Sequence, residues 1–495
     1  MDDCVAPAQL HRETRNRGRV MFANRSAERQ VLVVTRAPLR LQVRGDLATV
    51  SLLELTMAPL LRALHKRLPG SELLGLELRV PLERPNADLT AMDREALCAP
   101  SLFDPVRAMV DLIEDRGKAQ VPHGVFGAFA FDLVDRFEDL GERREDPMDD
   151  ADIELVLGLD LVRFDEDRGV VHVITRGLPW EAMSKVQARH SETLALLRQR
   201  PVAPKPETAI ACGPRTVEHD DAQFCAGVDK LREHIGKGDI YQAVLSRAVS
   251  WRCNADSLDV FERLSEREPA PYAFHLQLEH GALFGSSPET CLRVHNREVE
   301  IRPIAGTTNR SDDDDTDARL ALALLFDHKE RAEHVMLLDL ARNDIARVAK
   351  RATTEVVQQF AIEKYSRVQH LVSRVQGTLR PELDALHAYR AVANMGTLSG
   401  APKARACELI RELEPVGRGF YGGAVGYLLA DGSFDSCITI RSMRAKNGVF
   451  RAQAGAGVVW RSDPERELEE TERKLRAVSE VMASLTQAQP TEVRA

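Results

Sequence analysis

The stretch from 331 to 348, RAEHVMLLDLARNDIARV, constrains the fold more than any other part of the chain. It lacks Gly and Pro, consists mainly of strong helix formers and has apolar residues at helical spacing, so it predicts a helix. Those apolar residues cover most of the circumference over the first two turns, which indicates a largely buried helix. The helix nevertheless carries Glu333, His334 and Asp339. Buried charges need partners, so either the charged ends reach solvent or this helix belongs to a binding site.

Charge balance and cysteine pattern limit the classes of function. The 495 residues include 67 Lys and Arg against 76 Asp and Glu, and this acidic balance argues against nucleic acid or an anionic membrane as the main partner. No run approaches the roughly 18 apolar residues of a membrane span, and the N-terminus shows no signal peptide. The eight cysteines include no CxxC pair, so we expect a cytoplasmic protein with reduced cysteines and no disulfide.

Short strands separated by turn-forming residues fill most of the first half of the chain, and strands mix with helices in the second half. A Pro-rich segment between the halves, RPVAPKPE, is typical of a linker. The predicted divisions are an N-terminal domain at 1–200, a linker at 201–218, a second domain at 219–487 and a tail at 488–495.

Several local patterns make predictions that a tertiary structure can test. The segments IELVLGLDLVRFD and GVVHVITR resemble a hairpin with its turn at 165–169. The acidic run at 312–315 is expected to be a solvated loop, because adjacent like charges repel one another. A last helix is expected to begin at Asp463 and Pro464, with an apolar stripe that leaves Glu470 on the opposite face.

Arginine and glycine positions in the second half suit the binding of an anion. Arg441 is expected to end a strand, where its guanidinium could bind a carboxylate bidentately or form a surface ion pair. Gly455 and Gly457 lie inside another predicted strand, and their amides could donate to an anion or simply permit close packing. Tyr421, beside two glycines, fits either a pocket or a core. Together with acids on two helices that could hold Mg²⁺, these features describe a carboxylate-binding site.

A series of motifs, in chain order, resembles one known family. The motifs are PIAGT at 303–307, EHVMLLDLARNDIARV at 333–348, HLVSRV at 370–375, LDALHAYRAVANMGTLSGAPKARA at 383–406, YGGAVGY at 421–427, CITIRS at 437–442, QAGAGVV at 453–459 and ETERK at 470–474. On these motifs the chain resembles the chorismate-utilising enzymes, and among them the large, aminating component I of anthranilate synthase. The resemblance is close to unbroken over 220–485 and extends to GAFAFDLVDRFEDL and SLFDPVRAM in the first half.

The resemblance implies an α+β fold of two facing, mainly antiparallel sheets wrapped by helices, with the active site between them. It implies chorismate as the substrate, Mg²⁺ held by Glu333 and Glu470, and His370 as catalytic acid or base. Thr307 and Lys474 are expected at the same reacting centre. Carried over by position, the substrate-binding residues would be Gly306, Thr307, Thr397, Tyr421, Arg441, Gly455, Ala456, Gly457 and Lys474.

Two positions narrow the expected chemistry within the family. Ala305 stands where relatives of the para-aminobenzoate route carry a nucleophilic Lys, and Gln242 stands where the water-adding relatives carry a Lys base. Both positions indicate that ammonia attacks C2 of chorismate. The chain has no GxCxG nucleophile elbow of a glutaminase. The resemblance therefore implies ammonia from a separate glutamine amidotransferase subunit, and a hetero-oligomer.

The sequence leaves the product and the regulation open. Loss of pyruvate from the aminated intermediate, 2-amino-4-deoxychorismate, gives anthranilate, and the presence of His370 favours this step. A relative dedicated to secondary metabolism, such as antibiotic biosynthesis, would release the intermediate instead. The tryptophan-binding motifs of the biosynthetic relatives are replaced here by VMFA at 20–23 and by Pro271-Tyr272-Ala273, which predicts weak or absent inhibition by tryptophan. The alternative from another class is an inactive ligand-binding paralogue, which the retained Glu333 and Arg441 argue against.

Overall fold

The computed structural model describes residues 6–25, 29–83, 101–113, 122–199, 210–365 and 368–487. Two large sheets dominate these residues, and their strands pair antiparallel. In spatial order the first sheet consists of β10 (Val170–Ile174), β9 (Asp160–Asp165), β2 (Gln30–Arg36), β1 (Val20–Asn24), β13 (Tyr272–Gln277), β14 (Ala282–Ser287), β23 (Ser442–Lys446), β24 (Val449–Val458), β12 (Gln242–Arg252) and β11 (Thr216–Val217), with β20 (Gly400–Ala401) paired to β12.

The second sheet contains the remaining described strands. In spatial order they are β17 (Ile304–Asn309), β19 (Val368–Thr378), β16 (Glu298–Ile301), β15 (Thr290–His295), β22 (Phe434–Ile438), β21 (Ala424–Leu429), β7 (Gly124–Phe129), β8 (Ile153–Gly158), β3 (Leu39–Arg44), β4 (Leu47–Leu52), β6 (Glu77–Pro81) and β5 (Glu72–Leu74), with β18 (Glu355–Lys364) paired to β19.

Helices surround the two sheets. The α-helices are α1 (Pro7–Thr14), α2 (Ala58–Arg67), α3 (Asp104–Val110), α4 (Met183–Arg198), α5 (Asp221–Lys237), α6 (Ser257–Arg267), α7 (Asp314–Phe326), α8 (His328–Ala346), α9 (Ala385–Val392), α10 (Lys403–Leu413) and α11 (Pro464–Gln487). Short 3₁₀ helices cover Leu55–Met57 and Phe131–Arg136. As predicted, the last helix begins at Pro464, and the side chain of Asp463 accepts a hydrogen bond from the backbone N–H of Arg466.

The core has three layers of apolar contacts. Alternating residues of both sheets, such as Phe22 and Phe126, pack into one cluster between the sheets. Residues on the other face of the first sheet pack against α1, α6 and α11, and those on the other face of the second sheet pack against α2, α3, α8 and α9. The predicted fold of two facing sheets wrapped by helices is confirmed.

The chain crosses between the sheets at two places that lie within or at the end of a predicted strand. The segment IELVLGLDLVRFD, predicted as one strand of a hairpin, is divided at Leu159. Its first half is β8 in the second sheet, and only its second half, β9, forms the hairpin with β10 in the first sheet. The same happens between β22 and β23, with Arg441 in the crossing. Both sides of a crossing are buried, so the apolar pattern of the sequence continues through it and does not reveal it.

Two local predictions about helices are wrong. Helix α8 forms where expected, but it is buried on one side only: Val335 is 43% exposed, whereas Leu338 and Ile345 are buried. The acidic run is not a loop, because the side chain of Asp313 accepts a hydrogen bond from the N–H of Thr316 and caps α7. Acids in the first turn are favoured by the helix dipole, and this compensates for the repulsion between them.

The prediction of cysteines without a disulfide is also corrected. Cys212 and Cys253 face each other across a β-bridge and are joined by a disulfide, whereas Cys225, Cys291 and Cys407 are free, as is Cys437. The two bonded residues are 41 positions apart, and only the antiparallel approach of their segments brings them together.

Both sheets combine strands from before and after the predicted linker. Residues 201–209 of that linker and the tail at 488–495 lie outside the described residues, and the division into domains stays a prediction. Within the described ranges, no helix has the length and apolar character needed to cross a membrane.

Candidate active site

Two helices place acidic side chains near one another. Helix α8 carries Glu330 and Glu333, and α11 carries Glu467 and Glu470; the members of each pair are three residues apart and share a helix face. Burial raises the pKa of Glu333 to about 7, against the opposing charge of Lys329, and the other three carboxylates add to the shift. The pKa values of Glu330 and Glu467 are also raised, mainly by burial. A cation here would stabilise the ionised carboxylates.

This set of oxygen ligands fits Mg²⁺, the ion expected at Glu333 and Glu470. Mg²⁺ prefers carboxylate and water oxygens, and proteins often supply only one or two of its ligands. In the part of the chain that the structure describes, no three His, Cys, Asp or Glu side chains are arranged to hold a metal ion. Water or a carboxylate of the ligand would therefore complete the coordination. Glu330 and Glu467, which the sequence patterns did not indicate, add negative charge beside the two predicted ligands.

Lys474 connects the acidic helices to the first sheet. Its Nζ donates to Oε1 of Glu470 at 2.8 Å and to the carbonyl oxygen of Gly455 at 2.7 Å. Burial disfavours ionisation of Glu470, but Lys474, with smaller contributions from Arg473 and Lys329, outweighs burial and lowers the pKa of that carboxyl. A predicted metal ligand and a predicted substrate-binding strand are therefore held together by one ammonium group.

The predicted catalytic histidine lies at the edge of the second sheet. His370 on β19 is opposite Thr307 on β17, and its Nδ1 is 2.8 Å from Oγ1 of Thr307. Burial lowers the pKa of His370 and the charge of Arg441 lowers it further, while Glu363 and the backbone of Gly306 oppose the shift. The imidazole is therefore neutral near pH 7, fixed in orientation, and able to accept a proton.

Gly306 allows the histidine's sheet to approach the acidic helix. Its φ of 59° lies in the left-handed region that favours glycine. A Cβ at this position would lie only 2.8 Å from Cδ1 of Leu324 and 2.9 Å from Oε2 of Glu330. The absence of a side chain at Gly306 thus lets β17 lie directly against the carboxylates of α8.

Arg441 lies in the crossing between the sheets, not at the end of a strand as the sequence predicted. Its backbone has a φ of 50°. One guanidinium nitrogen, Nη1, donates to the carbonyl oxygen of Lys474 at 2.8 Å, and Nε lies 3.6 Å from Oε1 of Glu268. Its charge also lowers the pKa of His370, so the guanidinium adds positive charge near the histidine, where it can attract a carboxylate of a ligand.

The glycines of β24 face a tyrosine and a glutamine. A Cβ at Gly455 would lie 3.1 Å from the hydroxyl oxygen of Tyr421, and one at Gly457 would lie 2.8 Å from Nε2 of Gln242. Burial raises the pKa of Tyr421, whose hydroxyl is also hydrogen-bonded with the backbone of Gly455. Ala456 points to the other side of the strand, into an apolar cluster, so it could contribute only backbone atoms to a substrate site.

Glu289 is a buried acid that the sequence patterns did not indicate. Its Oε1 has no hydrogen-bond partner among the described residues. Burial raises the pKa of Glu289 to about 7, and the hydroxyl of Thr397 and the charge of Lys474 oppose this shift. Two predicted substrate-binding residues, Thr397 and Lys474, therefore act on a buried carboxyl group that can be protonated near neutral pH. In sequence it is only a polar residue in the turn after an apolar strand, which is a weak signal.

Direct contacts link most of the predicted site residues into two groups, which form one region because the charge of Arg441 in one group lowers the pKa of His370 in the other. The links are Gly306 with Glu330, Thr307 with His370, Arg441 with Lys474, Lys474 with Glu470 and Gly455, and Gly455 with Tyr421. The side chain of Ala456 lies outside this region. The chemical role of each residue stays a prediction.

Two facing sheets wrapped by helices agree with the class of enzyme that the sequence motifs indicated. The chain belongs to the chorismate binding enzyme family, whose model matches residues 79–480. Component 1 of anthranilate synthase from Vibrio cholerae is 40% identical over 470 residues, which cover 90% of this chain and 87% of that protein.

Two further relatives agree with this assignment. The pyocyanine-specific anthranilate synthase component 1 of Pseudomonas aeruginosa is 39% identical over 426 residues, covering 83% of this chain and 78% of that protein. The crystal structure of anthranilate synthase component I from Streptococcus pneumoniae superposes with a TM-score of 0.74 at 27% identity and covers 92% of both chains.

Proposed function

We propose that this enzyme aminates chorismate at C2 with ammonia and then eliminates pyruvate to give anthranilate. The observation that carries the proposal is that the acidic side chains of α8 and α11 lie in one region with the cations Arg441 and Lys474 and the glycines of β24. Chorismate has two carboxylates on a diene ring. One carboxylate can meet a cation held by the acidic helices, while the other meets Arg441 and the amide groups of Gly455 and Gly457.

Mg²⁺, held by Glu333 and Glu470 when it is bound, would supply Lewis-acid stabilisation for charge that builds up on the ring carboxylate. The protein's own groups orient the ring through Arg441 and the glycine amides, which fixes C2 relative to the incoming ammonia. Ammonia then forms the C2–N bond while the C4–O bond breaks. The leaving hydroxyl takes a proton from Glu289 and departs as water, since a carboxyl with a pKa of about 7 is an effective general acid near neutral pH.

The second step needs a base at C2. His370 is neutral and is held by Thr307, so its imidazole can accept the C2 proton as the enolpyruvyl C–O bond breaks. The enolate takes up a proton to become pyruvate, and the ring becomes aromatic. The relatives at about 40% identity are named anthranilate synthase component 1, which supports this product over release of the aminated intermediate. The intermediate remains the second candidate product, because the expected tryptophan-binding motifs are absent, as in a pathway-dedicated enzyme.

The contacts of the two replaced motifs support insensitivity to tryptophan. Strand β1 pairs with β13, so Ala23 lies opposite Ala273 and Asn24 opposite Tyr272. The hydroxyl of Tyr272 is 3.1 Å from Oδ1 of Asp435, whose carboxylate also accepts from Asn24. The polar groups of this region are therefore already paired with one another, and little hydrogen-bonding capacity remains for an amino-acid effector.

We also propose that the ammonia comes from a separate glutamine amidotransferase subunit in a hetero-oligomer, and that the protein is cytoplasmic. The absence of a GxCxG motif from the sequence supports the first point. Purified chain incubated with chorismate, Mg²⁺ and ammonium at high pH tests the activity. Fluorescent anthranilate with released pyruvate supports the proposal. A non-fluorescent product that keeps the pyruvyl carbons identifies the intermediate, and no consumption of chorismate supports the inactive paralogue.

A further inference from the structure

A buried ion pair lies behind the strands that carry the proposed substrate-binding glycines. Glu414 follows α10, and Arg418 is in the loop after it. Nε and Nη2 of Arg418 donate to the two carboxylate oxygens of Glu414 at 2.9 and 2.6 Å. Their side chains are only 2% and 4% exposed. Removing either charge would leave the other buried and unpaired, so the two residues form one unit, the Glu414–Arg418 pair.

Glu414 holds β12 at the position opposite Gly455. Its Oε1 accepts hydrogen bonds from the backbone N–H of Ser246 at 2.8 Å and from Oγ of Ser246 at 2.6 Å. Ser246 and Gly455 are paired across β12 and β24. Nε2 of Gln453, two residues before this glycine, donates to the same hydroxyl at 2.8 Å. The carboxylate is thus bonded to the backbone that lies directly behind one of the proposed substrate-binding glycines.

Arg418 extends these contacts to a second strand position and to a loop. Nη2 donates to the carbonyl oxygen of Val244 at 2.8 Å, and Val244 is paired with Gly457. Nη1 donates to the carbonyl oxygen of Leu398 at 2.6 Å, and this residue follows Thr397. The planar guanidinium makes all these contacts at once, which the single ammonium of a lysine could not reproduce.

The same guanidinium also contacts the proposed tyrosine of the site. Its central carbon is 5.6 Å from the ring centroid of Tyr421 and 4.5 Å from that of Phe131. Both distances fit a cation–π contact. The pair therefore contacts the strand residues opposite Gly455 and Gly457, the residue that follows Thr397, and the ring of Tyr421. These residues belong to separate segments of the chain.

We infer that the Glu414–Arg418 pair positions the substrate-binding wall formed by β12, β24, the loop at 397–399 and Tyr421. The pair makes no contact with substrate and is a positioning element. This inference rests on the proposed function, because it assigns the wall to chorismate. It predicts a larger effect on chorismate binding than on Mg²⁺ binding. Helix α8 with Glu333 is held by other contacts, such as that of His334 with Ser373, whereas Glu470 is joined to the wall through Lys474 and Gly455.

Conservative substitutions test the inference. Arg418→Lys keeps the positive charge but cannot make all the hydrogen bonds of the guanidinium group. Glu414→Gln keeps an acceptor for Ser246 but removes the negative charge. We expect kcat/KM for chorismate to fall about 100-fold in each variant, with a KM at least about fivefold higher, because small misplacements of a reactant carry penalties of this size. The Mg²⁺ concentration for half-maximal activity should change by a smaller factor than the KM for chorismate, because the wall is joined to Glu470 only through Lys474.

Arg36→Lys is the matched control. Arg36 is also a buried arginine that donates to carboxylates, those of Glu54 and Glu181, and it contacts none of the proposed site residues. We expect this variant to lower the thermal midpoint while leaving KM and kcat unchanged. Amide hydrogen exchange provides a readout that needs no activity: Arg418→Lys should accelerate exchange in peptides covering 242–246 and 397–400, and the control should not.

The outcomes separate the two proposals. Wild-type kinetics in a folded Arg418→Lys variant, or exchange that accelerates equally throughout the chain, overturns the positioning role. A shift in Mg²⁺ dependence as large as the shift in chorismate KM also overturns it. If Arg418→Lys does not fold, Glu414→Gln decides by the same criteria. If the wild type consumes no chorismate, the proposed function fails, and the exchange measurement still decides whether the pair holds the wall.

Discussion

A buried histidine pair makes a quantitative prediction about pH. His11 on α1 and His275 on β13 have no solvent exposure, and Nε2 of the first is 2.9 Å from Nδ1 of the second. Nε2 of His275 is 3.0 Å from the hydroxyl of Ser257. A neutral pair can share one proton across the short contact, whereas two imidazolium rings would point N–H groups at each other.

The surroundings also disfavour protonation of this pair. Burial lowers the pKa of His275 to about 3, and the charge of Arg15 adds to this shift. Burial likewise lowers the pKa of His11, with further contributions from His275, Arg15 and Arg12. Asp256 opposes the shift in both cases, but its carboxylate is hydrogen-bonded to the guanidinium of Arg15.

The sign and size of the effect follow from linkage. In the unfolded chain a histidine has a pKa near 6.5, so below that pH the unfolded state binds protons that the folded state does not. Stability contributed by the neutral pair is therefore present above about pH 6.5 and is lost as pH falls toward the low folded-state values. At pH 5 each unfolded histidine is almost fully protonated, so unfolding takes up about two protons at the pair, which corresponds to about 2 kcal/mol lost per histidine.

The assay is proton uptake on unfolding in urea at pH 5, measured by pH-stat titration of unbuffered protein. The double variant His11→Gln/His275→Gln should take up about two fewer protons than the wild type. His280→Gln is the control, because that ring is largely exposed in the folded protein. Equal uptake by the wild type and the double variant would show that the buried pair is already protonated when folded, and the reasoning from burial would then be wrong.

Further predictions concern the active site. Glu470→Gln should abolish turnover at ordinary Mg²⁺ concentration, because it removes a metal ligand. Near-wild-type activity of this variant would show that Glu470 is not a ligand of the metal. Glu289→Gln should lower kcat about 100-fold or more and remove the loss of activity above about pH 7 expected when this acid ionises, as a pH–rate profile per free ammonia would show. Gly455→Ala should lower kcat/KM, because the added Cβ would lie 3.0 Å from the carbonyl oxygen of Leu245 and 3.1 Å from Tyr421; an unchanged value would mean that the strand has room. Tryptophan should not inhibit amination, and inhibition at micromolar concentration would contradict the alignment of β1.

The sequence by itself determined the sheets, the helices and the family. The strand predicted around Gly455 and Gly457 and the helical spacing in α8 and α11 are local patterns, and the structure has β24 and both helices at these places. The motifs that contain Glu333, His370 and Arg441 also indicated the family before any contact was visible.

Only the tertiary structure decided which residues meet. Arg441 lies near Lys474 because the chain crosses from one sheet to the other at this residue. Glu289 becomes a candidate acid because packing buries its carboxyl group away from water. The disulfide between Cys212 and Cys253 and the contacts of Arg418 likewise join segments that are distant in sequence. Pairing depends on the summed geometry of many elements, so periodicity within one element can indicate a buried face but not which distant residues meet there.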